Sequence, residues 1–188
     1  MALPKEGPLS LADLLGWDED VRAELIEGVP FMHAAPSRIH QSISRNLLVQ
    51  IFGLLDGKPC EVYHAPFAVR LFEAEGDRPE DVDTVVEPDL VVVCDPDKLD
   101  DIGCKGAPDL IIEILSPSTQ RNDRMVKFGL YQRAGVPEYW IVDPESRTVQ
   151  VCTLEDGQYF APRVFSREDR MTAFHGMEID LASVFAGI

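Results

Sequence analysis

The chain has 188 residues, enough for one domain with a full hydrophobic core, and its 45% hydrophobic and 27% charged content is ordinary for a globular protein. A formal net charge of −16 weighs against a freestanding, avid nucleic-acid binder, since phosphate neutralisation needs a basic face, but it leaves room for a local basic cleft and for acids that hold metal. The N-terminal stretch has neither a basic region nor a long apolar one, no run approaches the roughly 18 apolar residues of a membrane span, and Cys60, Cys94, Cys104 and Cys152 form no CxxC pair. These features predict no signal peptide, no membrane partner, no zinc site, no disulfide framework, and a cytoplasmic setting with reduced thiols.

Residues 9–16 read as a short helix capped by Ser10 and ended by Gly16. RAELIEGVPFMHAAP then reads as two strands around a turn at Glu27-Gly28, which makes Glu27 a solvent-facing turn acid on the local pattern alone. From Ser37 to Leu55 the apolar residues Ile39, Ile43, Leu47, Leu48, Ile51 and Leu54 recur at helical spacing, with Ser37 as the cap and His40 in the first turn. CEVYHAPFAVRLF is a strand broken at Pro66, which suits an edge position or a bulge, and an acidic segment rich in turn formers follows it as an exposed loop.

Two apolar runs, Leu90–Cys94 and Leu110–Leu115, are rich in Val and Ile and bounded by Pro, Asp and Gly, so both read as strands. Between them Asp95-Pro96 marks a turn and Lys98 to Ile102 one helical turn. A helix capped by Ser118 or Thr119 then runs to Gly135 with Met125, Val126, Leu130 and Ala134 on its inner side. It leads into a third strand, Glu138–Val142. The remainder reads as a hairpin turning at Asp156-Gly157 and a short element near Leu181–Phe185. No repeat or linker interrupts the chain, so residues 1–188 are expected to form a single α/β domain.

The chemistry concentrates in two carboxylates. Asp89 stands at the mouth of the first apolar strand, and Glu113 lies inside the second among Ile111, Ile112, Ile114 and Leu115. A carboxylate in such a run is costly to desolvate unless a cation or strong donors compensate it. Adjacent strands lie about 4.8 Å apart, so acids on one face can share a hard divalent cation. Asp109 lies on the face of Glu113 by strand alternation and competes as a ligand, although it also fits an ordinary turn before a strand.

Five stretches together, ELIEG, PSRIHQ, EPDLVVV, GAPDLIIEILSPST and DRMVKFGLYQRAGVPEYWIVDP, resemble the Uma-type restriction-endonuclease family, a domain-of-unknown-function family of the PD-(D/E)XK nuclease superfamily. The resemblance covers nearly the whole chain. It implies a restriction-endonuclease-like α/β (α+β) core, a central mixed β-sheet flanked by helices with N- and C-terminal hairpins added. It also implies that Asp89 and Glu113 bind Mg²⁺ (or Mn²⁺), that Glu27 is a further active-site acid, and that His40 lies in the pocket. The superfamily pattern places Lys two positions after the second acid, where this chain has Leu115. Lys127, on the following helix, is the expected replacement in preference to Lys105, with Asp123 and Tyr131 on the same helical face to position its ammonium. The alternative for Lys127 is a helix-surface lysine.

The resulting expectation is a Mg²⁺-dependent endonuclease acting on DNA, with Glu27, Asp89, Glu113 and Lys127 catalytic. The rival is a catalytically weak or inactive nuclease-like module that binds nucleic acid or a partner protein, and a hydrolase of another phosphate compound is a third reading. A homodimer is expected from the apolar strand Glu138–Val142 and the hairpin near 149–160, residues that core burial would equally explain.

Overall fold

The structure, a computed structural model, describes residues 7–18, 21–116 and 122–188, with the side chains of 122–124 left aside. Helix α1 (Leu11–Leu15) opens the described chain, capped by Ser10 in a reciprocal box with Asp13. Strands β1 (Ala23–Ile26) and β2 (Val29–Met32) form the expected hairpin, and α2 (Arg38–Leu55) starts where the Ser37 side chain accepts from the His40 N–H. Next come β3 (Glu61–His64), β4 (Ala68–Arg70), β5 (Leu90–Val93), β6 (Gly103–Lys105) and β7 (Leu110–Ile114). A stretch of π-helix, Asn122–Lys127, runs directly into α3 (Phe128–Ala134), which ends at Gly135 in the left-handed conformation. Strands β8 (Glu138–Asp143), β9 (Thr148–Glu155), β10 (Gln158–Tyr159), β11 (Arg163–Ser166), β12 (Arg170–Ala173) and β13 (Met177–Asp180) and helix α4 (Leu181–Val184) complete the order.

Among the described residues the central sheet has seven strands in the order β10-β9-β8-β7-β5-β3, with β11 also paired to β9. Only β7 and β8 in this sheet run parallel, joined by the crossover that contains α3. One face packs Leu90, Val92, Leu110, Ile112 and Ile114 against Ile43, Leu47 and Ile51 of α2. The other packs Val91, Val93, Ile111 and Leu115 against Leu130 and Tyr131 of α3. Both faces are covered, which is why these strands read as continuous apolar runs rather than alternating ones.

Three expectations are corrected. Met125 and Val126 are exposed, not inward, because the wider π turns shift the phase of the segment before α3 begins. Cys60 and Cys94 form a disulfide: the register Glu61↔Val93 sets them opposite each other just beyond the paired ends of β3 and β5, a proximity their sequence separation of 34 conceals. Strand β8 is interior to the sheet, so its apolar residues are explained by core burial and carry no argument for a dimer. The proposed caps Ser118 and Thr119 lie outside the described residues.

Candidate active site

The register Leu90↔Ile112 between antiparallel β5 and β7 extends to place Asp89 opposite Glu113, both on the α3 face of the sheet. Each carboxylate is fixed by donors. Asp89 Oδ2 accepts the Ile114 N–H at 2.7 Å and lies 3.0 Å from His40 Nε2, so the first turn of α2 and the backbone of β7 hold one acid between them. Among the described residues Asp89 Oδ1 carries no hydrogen bond. Glu113 is buried, and its Oε1 accepts from Lys127 Nζ at 2.8 Å and from the Tyr131 hydroxyl at 2.7 Å. Burial, then the negative charges of Glu113 and Glu24, hold the Tyr131 phenol well above its usual pKa, so it remains a hydrogen-bond donor.

Lys127 is itself buried, at the junction of the π-helix and α3, and Tyr131 follows it by one α-helical turn; both therefore meet Glu113. Lys127 also pairs with Glu24 on β1, whose Oε1 likewise lies 2.8 Å from Nζ. The same oxygen accepts the Glu87 N–H at 2.9 Å, two residues before Asp89. Arg22 grips the same segment through an ion pair of 2.7 Å with Glu87, and Leu25 pairs with Val85, so the N-terminal hairpin is clasped to the strand that delivers Asp89. His33, at the end of β2, stands 3.8 Å from Glu24 Oε2.

These groups face a cleft of ≈ 760 Å³ lined by Asp89, Glu113, Lys127 and His40, with Arg22, His33 and Arg147 around them. Of the expected site residues, Asp89, Glu113, Lys127 and His40 meet there, and Tyr131 supports them from below. Glu27 does not: it sits in the β1–β2 turn with φ 51°, its side chain largely exposed and paired with Arg133 at 2.6 Å, because the turn directs it away from the sheet. Glu24, three positions earlier and fully inside β1, is the acid that reaches the cluster. Asp109 also stays out, its carboxylate accepting the Cys94 N–H at 2.7 Å in the turn before β7. Lys105 is exposed and lies 3.5 Å from Asp100, remote from this group. The side chain of Asp123 lies outside the described residues. Leu115, in the usual lysine slot, packs into the α3-side core.

Among the described residues no three His, Cys, Asp or Glu side chains converge as a preformed metal cage. Mg²⁺ does not require one: it is usually held by one or two carboxylates, with water and substrate phosphate completing its shell. The opposed Asp89 and Glu113 fit that donor set.

A family model described as "Putative restriction endonuclease", Uma2, matches residues 11–182. The chain belongs to the Uma2 family. Another relative of this Uma2 chain is the uncharacterised protein slr1290 of Synechocystis sp. (strain ATCC 27184 / PCC 6803 / Kazusa), 30% identical over 166 residues that cover 87% of this chain and 83% of that one. The fold matches the crystal structure of a "putative nuclease belonging to DUF820" from Anabaena variabilis ATCC 29413, with a TM-score of 0.74 at 18% identity, over 95% of this chain and 98% of that one. The Uma2 fold is thus a nuclease-like α+β fold with a central mixed sheet. Among the described residues no helix is long and apolar enough to cross a membrane.

Proposed function

We propose that this Uma2 protein is a Mg²⁺-dependent endonuclease that hydrolyses phosphodiester bonds in DNA. The observation that carries the reading is Lys127 lying 2.8 Å from Glu113, which supplies from the end of the π-helix before α3 the cation that Leu115 cannot. Asp89 and Glu113 would hold the ion, Mg²⁺ or Mn²⁺. Such an ion, held there, would polarise an attacking water and offset negative charge developing on the phosphate. The chain's own contribution is orientation. His40 and the Ile114 N–H fix Asp89, Tyr131 and Lys127 fix Glu113, and the Lys127 ammonium provides a preorganised positive charge at the base of the cleft.

Among the described lining residues the acids Glu87, Asp89, Glu113, Asp143 and Glu145 outnumber Arg22, Lys127 and Arg147. A cleft with that balance repels phosphate until a cation enters, which favours a metal-dependent enzyme over a metal-free nucleic-acid binder. The reading extends to residues 1–188 acting as one domain, to a cytoplasmic location alongside DNA, and to a homodimer of the kind that suits cleavage of both strands. Incubating supercoiled plasmid with the protein and Mg²⁺ or Mn²⁺ tests the proposal. Nicking by the wild type that falls by at least about a hundredfold in Glu113→Gln is expected. No cleavage with either ion, alongside retained binding of a partner, would leave the non-catalytic module as the correct reading.

A further inference from the structure

We infer that Glu24 is a positioning residue that offsets the charge of Lys127, so that Glu113 keeps its own charge for the cation. Three observations lead there. Lys127 Nζ is equidistant, at 2.8 Å, from Glu24 Oε1 and Glu113 Oε1, so among the described residues its positive charge is shared between these carboxylates. All three side chains are at most 5% exposed, where water screens their interactions weakly. Glu24 also accepts the Glu87 N–H, which fixes its position relative to Asp89 without making it a third metal ligand.

The electrostatic consequence is specific. A lysine paired with Glu113 alone would place a full positive charge against one of the two acids meant to receive a divalent ion. Glu24 cancels that charge from the side of β1, and the cleft end of Glu113 stays anionic. Glu24→Gln keeps the shape and the acceptor oxygen but removes one negative charge from the cluster. Lys127→Met removes one positive charge at similar volume. The double variant changes the cluster's net charge by zero. A merely structural Glu24 predicts that the second substitution adds damage to the first, whereas a counter-charge predicts that it repairs the first.

The inference rests on the metal reading above, and the experiment separates the two. Mn²⁺ titrations followed by electron paramagnetic resonance would be run on wild type, Glu24→Gln, Lys127→Met and the double variant, each checked by thermal melt. The expected result is affinity at least about tenfold weaker in Glu24→Gln, tighter in Lys127→Met, and within about threefold of wild type in the double variant. Glu24→Gln binding like wild type, or a double variant weaker than Glu24→Gln, overturns the inference while leaving the metal site standing. If Glu24→Gln does not fold, Lys127→Met alone decides: weaker binding than wild type contradicts the charge balance. No Mn²⁺ binding by the folded wild type overturns the metal reading itself, and the inference with it.

Discussion

Lys127 is the residue on which this site turns. Removing a partner from a buried ion pair leaves uncompensated charge, here on both Glu24 and Glu113, so Lys127→Ala is expected to cost about 3–5 kcal/mol at neutral pH. Urea denaturation would measure it. Adding Glu24→Gln to that variant is expected to recover part of the loss, because one of the two stranded charges is removed. Tyr131→Phe is gentler: it removes one donor to a buried carboxylate and is expected to cost about 1.5–3 kcal/mol. At this scale much was legible. Glu113 announced itself as a carboxylate in an apolar run, Lys127 followed from the family resemblance, and Tyr131 from its place one helical turn beyond Lys127. Glu24 carried the first signal too, standing between Ala23 and Leu25 in a strand, but the family resemblance drew attention to Glu27 in the same ELIEG motif. The Glu27-Gly28 turn already argued against that residue, since both positions take positive φ and a hairpin turn points its side chains outward.

The elements that position the site depend on close approaches that no sequence pattern reports. Gly28 has φ +77°, and a Cβ there would stand 2.5 Å from the Pro8 Cβ, so the β1–β2 hairpin can pack on the preceding chain only with glycine at this turn. Gly28→Ala is expected to destabilise by about 1–3 kcal/mol through backbone strain alone, and more through the contact, as read from the thermal midpoint. Because that hairpin carries Glu24, the same variant is expected to weaken Mn²⁺ binding although Gly28 touches nothing in the cleft. The π-helix before α3 was equally hidden: residue spacing predicted Met125 and Val126 inward, and only the observed wider turns account for their exposure. The Cys60–Cys94 pairing needed the β3–β5 register, which two strands separated by a cis-proline break and a long loop do not disclose. Thiol titration of the unreduced, denatured protein should find Cys104 and Cys152 alone, with all four cysteines reacting after reduction. Closing that loop is expected to contribute about 2–4 kcal/mol, lost on reduction.

For the molecule as a whole, the sheet covered on both faces sets the response to pH. Burial pushes the Cys104 thiol from 9.0 up to about 11, and burial followed by the charge of Glu138 does the same to Cys152. Tyr131 and Tyr159 are raised as well, chiefly by burial. Folded values above unfolded ones mean that this stabilisation is complete below the unfolded pKa and is lost as pH rises through the folded one. The melting temperature is therefore expected to be level near pH 8 and to fall between about pH 9 and 11, less steeply in a Cys104→Ala, Cys152→Ala variant. The individual strands, helices and hairpins were readable from strand and helix periodicity, since burial on both faces writes itself into the sequence as continuous apolar runs, while the mixed sheet flanked by helices followed from the family resemblance. What periodicity could not supply was the register that turns Asp89 and Glu113 into neighbours, and the site depends on that register. The direct test is calorimetric titration of Mn²⁺ into wild type, Asp89→Asn and Glu113→Gln. Saturable binding in the wild type, weakened at least about tenfold in each variant, is the predicted result. Wild-type protein that takes up no Mn²⁺ at millimolar concentration, or variants that bind as tightly as wild type, would contradict it.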